Sequence, residues 1–300
     1  MGESMLLRHG TAFNALIRFS IVDSTEIVEK SRKRHELSPL PAVALGRLIT
    51  GVSLMVPWLS EKEKLTYVVE GTGLLKIIAA QAKSNGDVRG YVSPPVLENI
   101  LNKQGKFDLK TAIGRGTLKV IRDLGLKTPH ITPVSLQSGE IAEDLAYYFT
   151  VSEQIPSAVA LGVLVDKNGI KKAGGIIIQI LDRNLDPKII ERIEKRFKEI
   201  IPLTSFLLKH RPFEAAKYIF EDSIEEILEK EVKFKCDCSK EKAYESLRVL
   251  TKEDLDFLLN QEKAEVVCKW CNTKYYFTKE EIERVKNEKS EERNEDKSNF

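Results

Sequence analysis

The sequence predicts an α+β chain with an N-terminal mixed-sheet core domain over 1–182 and an amphipathic helical linker over 183–231. A small C-terminal module over 232–287 and a disordered tail over 288–300 complete it. Three observations carry this division. Strand and helix signals alternate irregularly up to Asp182, with no βαβ repeat, which favours α+β over a doubly wound α/β fold. From Asp186 apolar residues recur at helical spacing among Lys, Arg and Glu. All four cysteines then fall in two close pairs near the end of the chain.

In order, Ala12 to Val22 reads as an opening strand, with Phe13, Ala15, Ile17, Phe19 and Ile21 alternating with mostly polar neighbours. Ser24 or Thr25 can cap a helix over Glu26 to Arg34. Pro39 and Pro41 open a second helix from Ala42 to about Leu54, whose Ala42, Ala44, Gly46 and Gly51 permit close packing. Strands follow at Leu65–Glu70, Leu75–Ala82 and Val88–Val92, the last two joined by an Asn85-Gly86 hairpin signal. Thr117–Asp123 and Ile131–Gln137 add strands, and Ile141–Val151 a helix. Ser157–Val165 and Lys171–Leu181 form a long hairpin turned at Asp166 to Gly169. The glycine clusters Gly71-Thr72-Gly73 and Gly114-Arg115-Gly116 fit neither phosphate-loop spacing and read as turns.

In the linker, Ile189, Ile190, Ile193, Phe197, Ile200 and Ile201 mark one helix. After Pro202, Pro212 begins a second stripe of Phe213, Ala216, Ile219, Phe220, Ile224, Ile227 and Leu228. Such stripes ordinarily pack on a core. Lying between a large domain and a small module, this one is expected to depend on whether that module is folded. The module reads as helices over Glu241–Arg248 and Lys252–Asn260, strands at Ala264–Val267 and Tyr275–Phe277, and a closing helix over Glu280–Val285.

Cys236-Asp237-Cys238 and Cys268-Lys269-Trp270-Cys271 are separated by 29 residues. Four thiolates suit tetrahedral Zn²⁺, and a closed four-sulfur set leaves no position for substrate, so the module is expected to hold one structural zinc. Plain disulfides suit an oxidising compartment, whereas this chain shows no secretory h-region and reads as soluble and cytoplasmic. The same thiolates can release metal and oxidise, which would turn a rivet into a switch. A module this small has a marginal core, so metal loss should unfold it.

Hydrophobic residues make up 42% and charged residues 31% of the chain, with net charge +2. That balance does not point to nucleic acid or a membrane surface. A zinc ribbon that binds nucleic acid is the alternative reading, resting on Lys233, Lys235, Lys240, Lys242, Lys263, Lys269 and Lys274, but Glu241, Glu245, Glu253, Asp254, Glu262 and Glu265 interleave with them. A thiol oxidoreductase would place its C-x-x-C at a helix start in a βαβ unit, a setting absent here. His9, His35, His130 and His210 form no hydrolase spacing, and no catalytic constellation is found.

These residues resemble the heat shock protein 33 family over about residues 12–285. The resemblance rests on Phe234 to Glu241, on Cys268 to Asn272 running into Tyr275-Tyr276-Phe277, and on earlier blocks. Those blocks are Arg34-His35-Glu36-Leu37-Ser38-Pro39 leading into Ala44 to Arg47, Gly86 to Val92, Gly116-Thr117-Leu118 leading into Asp123 to Leu126, Ser152 to Ser157, and Gly174-Gly175 running into Gln179. Leu181-Asp182 departs from the Leu-Pro of many members, a difference that bears on a turn. The resemblance implies a redox-regulated, ATP-independent holdase chaperone and no enzyme. The reduced, zinc-bound form would be inactive. Oxidation would pair Cys236 with Cys238 and Cys268 with Cys271, release zinc and unfold the module and linker. Unfolding client proteins would then bind, with Ile219, Phe220, Ile224, Ile227 and Leu228 as candidate contacts. It further implies a homodimer when oxidised, transfer of clients to ATP-driven chaperones and reduction by thioredoxin or glutaredoxin systems.

Overall fold

A computed structural model of the chain describes residues 5–182, 184–261 and 264–298. The chain forms two compact units, Met1–Lys235 and Cys236–Phe300.

The first unit opens with a hairpin of β1 (Met5–Ala12) and β2 (Ile17–Asp23), followed by α1 (Thr25–His35) and α2 (Pro39–Ser53). A meander follows: β3 (Lys64–Gly71), β4 (Ile77–Lys83) and β5 (Asp87–Ser93). Then come α3 (Leu109–Ile113), β6 (Gly116–Asp123), β7 (His130–Ser135) and α4 (Ala142–Val151). The long hairpin β8 (Ser157–Asp166) and β9 (Gly169–Ile180) precedes α5 (Pro187–Glu199), α6 (Leu203–Leu207), α7 (Pro212–Phe220) and β10 (Ile224–Phe234). Among the described residues one ten-stranded mixed sheet runs in the order β7-β6-β3-β4-β5-β10-β1-β2-β9-β8. The α+β class and the long hairpin read from the sequence hold.

Two apolar layers cover the sheet. The larger centres on α2, in which thirteen of fifteen residues, Leu40–Gly46 and Leu48–Ser53, are buried, and draws in α1 and α4. By length and composition Pro39–Trp58 could cross a membrane, yet 89% of that window is buried inside the unit. Alternate residues of β2 and β9 face the other way. Ile17, Phe19, Ile21, Ile176 and Ile178 form a second core with Ile193, Leu203, Leu207, Ile219 and Phe220 from α5–α7. The two glycine clusters are turns, as expected, and they meet. Gly73 donates to the Ile113 carbonyl at 2.8 Å, and a Cβ on Gly73 would lie 2.4 Å from the Ala112 carbonyl oxygen.

Three expectations change. The strand read over Ala12–Val22 is the turn and second arm of a hairpin whose first arm, β1, the pattern missed. Phe13, Asn14 and Ala15 all take left-handed φ near +56°, a turn with no Gly or Pro to announce it. The stripe through Ile224, Ile227 and Leu228 is not helical. Glu221 at φ +52° ends α7, its carboxylate paired with Arg196, and the following residues lie beside β1 with His9↔Leu228 and Gly10↔Ile227 in register. Tertiary pairing overrides the local helical period. The linker's cover comes from the first unit itself, because the core that buries Ile219 and Phe220 consists wholly of residues 12–224. It was expected to come from the small module.

Glu29 on α1 accepts hydrogen bonds from Arg32 Nε and Nη2 at 2.8 Å and from the Ile170 N–H at 2.9 Å, tying α1 to the β8–β9 turn. The Arg32 hydrogen bond, chiefly, holds the Glu29 carboxyl down at about 2. A depressed carboxyl contributes stability that is full above its ordinary range and is lost as pH falls through the folded value. Glu29→Gln is therefore expected to lower the thermal midpoint by roughly 2–4 °C at pH 7. The deficit should shrink as pH falls below the ordinary carboxylate range towards 2; a deficit that does not change with pH would show the charge to be irrelevant.

Candidate metal centre

The second unit holds α8 (Lys240–Leu247), α9 (Lys252–Leu259), the hairpin β11 (Ala264–Val267) and β12 (Lys274–Phe277), and α10 (Lys279–Ser298). Its core is small: Ala243, Leu247, Leu255, Ala264, Phe277, Ile282 and Val285. The tail expected to lack structure from 288 continues α10 to Ser298, with residues 299–300 outside the described set. Glu, Lys and Arg are strong helix formers, and Arg248–Glu288 and Lys286–Asp256 pairs tie the helix to its neighbours.

The two cysteine pairs are presented differently, the first just before a helix and the second in a turn. The Ser239 hydroxyl accepts from the Lys242 N–H at 3.3 Å and caps α8, so Cys236 and Cys238 lie just before a helix start. The second pair is a knuckle beyond β11. Cys271 N–H and Asn272 N–H both donate to the Cys268 carbonyl, at 3.3 and 2.8 Å, while Cys268 N–H donates to the Thr273 carbonyl at 2.9 Å. Asn272 takes φ +57°, a conformation Asn tolerates, which closes the turn.

The four sulfurs lie within 4.8 Å of one another, and no disulfide joins them. Cys236 and Cys268 are 3.8 Å apart, Cys238 and Cys271 3.3 Å. A tetrahedral Zn–S bond of about 2.3 Å puts sulfurs roughly 3.8 Å apart, so the donor set fits a four-thiolate metal ion. Burial pushes the Cys268 thiol up to about 12 when no cation is present. Four crowded sulfurs ionise together only with a cation among them.

Two groups touching the sulfurs escaped sequence reading. The Tyr275 hydroxyl donates to Cys238 Sγ at 3.1 Å, and Thr273 Oγ1 lies 3.2 Å from Cys271 Sγ. The signal for Tyr275 was available in the strand alternation: Tyr275 and Phe277 share the inner face of β12 while Tyr276 is exposed. Of the lysines weighed for nucleic acid, Lys240, Lys242 and Lys274 pair with Glu281, Asp237 and Glu265. Lys263 lies outside the described residues.

The candidate client contacts do not form one surface. Ile219 and Phe220 are fully buried and Ile224 half-buried, whereas Ile227 and Leu228 are 46% and 47% exposed on β10.

A family profile described as Hsp33 protein matches residues 6–278. The chain belongs to the Hsp33 family. The 33 kDa chaperonin of Thermosipho melanesiensis is 58% identical across 94% of this chain and 99% of its own length. That of Thermotoga maritima is 49% identical across 93% and 97%, and one from Clostridium botulinum is 43% identical across 92% and 95%. The crystal structure of the Thermotoga maritima 33 kDa chaperonin, a heat shock protein 33 homolog, aligns with a TM-score of 0.93 at 48% identity, covering 96% of this chain and all of that one. Membership of the Hsp33 family makes this chain a chaperone, and the four-cysteine cluster is a feature that fits redox and metal chemistry.

Proposed function

We propose that the chain is a redox-regulated, ATP-independent holdase of the cytoplasm, whose second unit is the sensor. The single observation that carries this reading is the cluster of four sulfurs from two distant chain segments, within 4.8 Å of one another, in a unit with a small core. One Zn²⁺ held by Cys236, Cys238, Cys268 and Cys271 would keep the sulfurs as thiolates and cross-link the two segments. On oxidation Cys236 with Cys238, and Cys268 with Cys271, each give up two electrons and form a sulfur–sulfur bond. A molecule of peroxide per pair accepts those electrons and two protons and leaves as water. Both bonds lie within a segment, so the link between segments is lost and the small core has nothing to hold it. Because the first unit covers α5–α7, their loosening is a separate step of this reading, and it would free Ile219, Phe220 and Ile224 to join Ile227 and Leu228 as apolar surface for unfolding clients. Dimerisation of the oxidised form, transfer to ATP-driven chaperones and reduction by thioredoxin or glutaredoxin systems complete the cycle.

The test is a paired titration. The reduced protein is treated with peroxide at mild heat, zinc release is followed with a chromogenic chelator, and aggregation of a heat-unfolded client is followed in the same samples. Zinc release and suppression of aggregation should rise together and reverse with dithiothreitol. Zinc loss without suppression would make the cluster a structural rivet. Cys268→Ser should abolish the coupling, and full oxidative activation in that variant would refute the mechanism.

A further inference from the structure

Two side-chain hydroxyls reach the sulfur cluster, and they divide between the cysteine pairs. Tyr275 Oη donates to Cys238 Sγ at 3.1 Å, and Thr273 Oγ1 lies 3.2 Å from Cys271 Sγ. Cys238 belongs to the first pair and Cys271 to the second. Both hydroxyls come from the stretch Thr273-Lys274-Tyr275 just behind the knuckle, and the local fold holds them in place. Strand β12 pairs with β11 through Val266↔Tyr275 and Val267↔Lys274. Cys268 N–H closes onto the Thr273 carbonyl at 2.9 Å. The Tyr275 ring packs against the core that contains Leu255, Ala264 and Phe277, which fixes where its hydroxyl can reach. Cys268 accepts from the Trp270 N–H, a donor that any residue but proline would supply. The two hydroxyls depend on which side chains stand at 273 and 275.

A thiolate has no proton to give, so in the reduced, metal-bound state each hydroxyl can only donate to its sulfur. Such a bond draws electron density away from the lone pair that must attack an oxidant, and hydrogen bonds received by metal ligands tune those ligands' reactivity in general. In the oxidation, a thiolate lone pair attacks one oxygen of peroxide. An S–O bond forms, the O–O bond breaks, and the departing hydroxide takes up a proton and leaves as water. The other sulfur of the pair then attacks the sulfenic sulfur, an S–S bond forms, and the second oxygen leaves as water. Each pair thus loses two electrons to one molecule of peroxide. A disulfide sulfur is neutral and a poor acceptor, so each pair also gives up one hydroxyl hydrogen bond as it oxidises.

We infer that Tyr275 and Thr273 are positioning residues that set the oxidant threshold of the cluster, one hydroxyl braking each cysteine pair. This deepens the redox-switch reading above and rests on it. Tyr275 is the stronger brake. A phenol is a better hydrogen-bond donor than an aliphatic alcohol, and its bond joins the two segments, 37 positions apart. Thr273 stands two positions from the sulfur it touches.

The probes are cobalt(II), loaded in place of zinc into the reduced full-length chain, and hydrogen peroxide. A sulfur relieved of its hydrogen bond passes an electron to the metal more readily. Tyr275→Phe, which removes the hydroxyl and keeps the ring, should therefore move the sulfur-to-cobalt charge-transfer band to lower energy. With zinc bound, the same variant should raise the second-order rate of peroxide-driven metal release about three- to tenfold, the contribution of one such hydrogen bond. Thr273→Val should do both to a smaller extent. Leu255→Ala loosens the core of the second unit at a fully buried position away from the sulfurs, and it should leave the band where it is. Faster release with an unmoved band means that the tyrosine only holds the unit together, and it overturns the inference. So does a moved band with the parent's rate, and so do variants that match the parent in both. A parent chain with no thiolate–cobalt band sinks the metal reading and this inference together. Aggregation of a heat-unfolded client, followed with the fully oxidised parent, reports separately on the holdase reading, because a brake changes how fast the switch turns and not what the turned form does. Failure to suppress aggregation there, with both shifts present, sinks the holdase and leaves the brake established.

Discussion

Stripping the metal with a strong chelator under reducing conditions is expected to unfold residues 236–285 while the fold of the first unit persists. The core of the second unit consists of seven buried apolar residues, three of them alanine or valine, and domains of this size are marginal on burial alone. Binding of zinc to small modules is worth on the order of 10 kcal/mol of folding free energy, which exceeds the stability of most whole domains. The local interactions that survive metal loss are weak by comparison. The Thr251–Asp254 capping box on α9 and the Ser239 cap on α8 contribute about 1 kcal/mol each. Amide spectra should show collapse of dispersion for Ala243, Leu255, Ala264 and Phe277, recovering when Zn²⁺ is restored. Dispersed signals for these residues in the chelated protein would mean that the core stands without the ion.

Phe220→Ala carries the second large effect. Phe220 is fully buried, its ring centroid 5.0 Å from that of Phe19 and 6.5 Å from that of Phe13. Truncating a buried phenylalanine costs about 3–5 kcal/mol because the cavity only partly collapses. The cost falls on the contact that holds α7 to β2. Two results are expected: a clear drop in the urea midpoint, with the earliest loss of hydrogen-exchange protection in α5–α7, and partial suppression of client aggregation by the reduced protein. Ile227→Ala, at a side chain nearly half exposed on β10, is the control and should stay within about 0.5 kcal/mol of the parent. Destabilisation by Phe220→Ala without any gain of chaperone activity under reducing conditions would show that loosening this layer is not the activating event.

The parts of this fold that are legible in sequence are those where local chemistry and tertiary role agree. The β8–β9 hairpin announces itself through an apolar run on each side of Asp166 to Gly169, and α2 through Pro39 at its first turn followed by small and apolar residues. The four-cysteine cluster was legible because two close cysteine pairs are the only cysteines in the sequence, and their sulfurs do come together. Where the chain misled, a distant partner decided. Ile224, Ile227 and Leu228 are spaced for a helix face, and only β1, more than 200 residues earlier, makes them a strand. Strand β1 was missed because Arg8, His9 and Gly10 break the alternation, and its value comes from pairing on both sides, with β2 and β10. Strand alternation puts Tyr275 on the inner face of β12, but its acceptor, Cys238, lies 37 positions earlier, and the alternation does not name that partner.

The place of β10 in the sheet has a consequence for how the molecule is made. Among the described residues β10 joins the β7-β6-β3-β4-β5 part of the sheet to the β1-β2-β9-β8 part, parallel to β5 through Lys233↔Asp87 and Phe234↔Val88 and antiparallel to β1. During synthesis from the N-terminus, β1 and β5 both emerge well before it, each with one side open. The ion pair Arg8–Glu229 closes a loop of 221 residues, so this seam is the slowest part of the sheet to find by diffusion. The nascent chain therefore carries two unfinished strand edges until its last quarter leaves the ribosome. Cys236 and Cys238 follow directly behind the strand that closes those edges, and Cys268 and Cys271 emerge later still, after α8, α9 and β11.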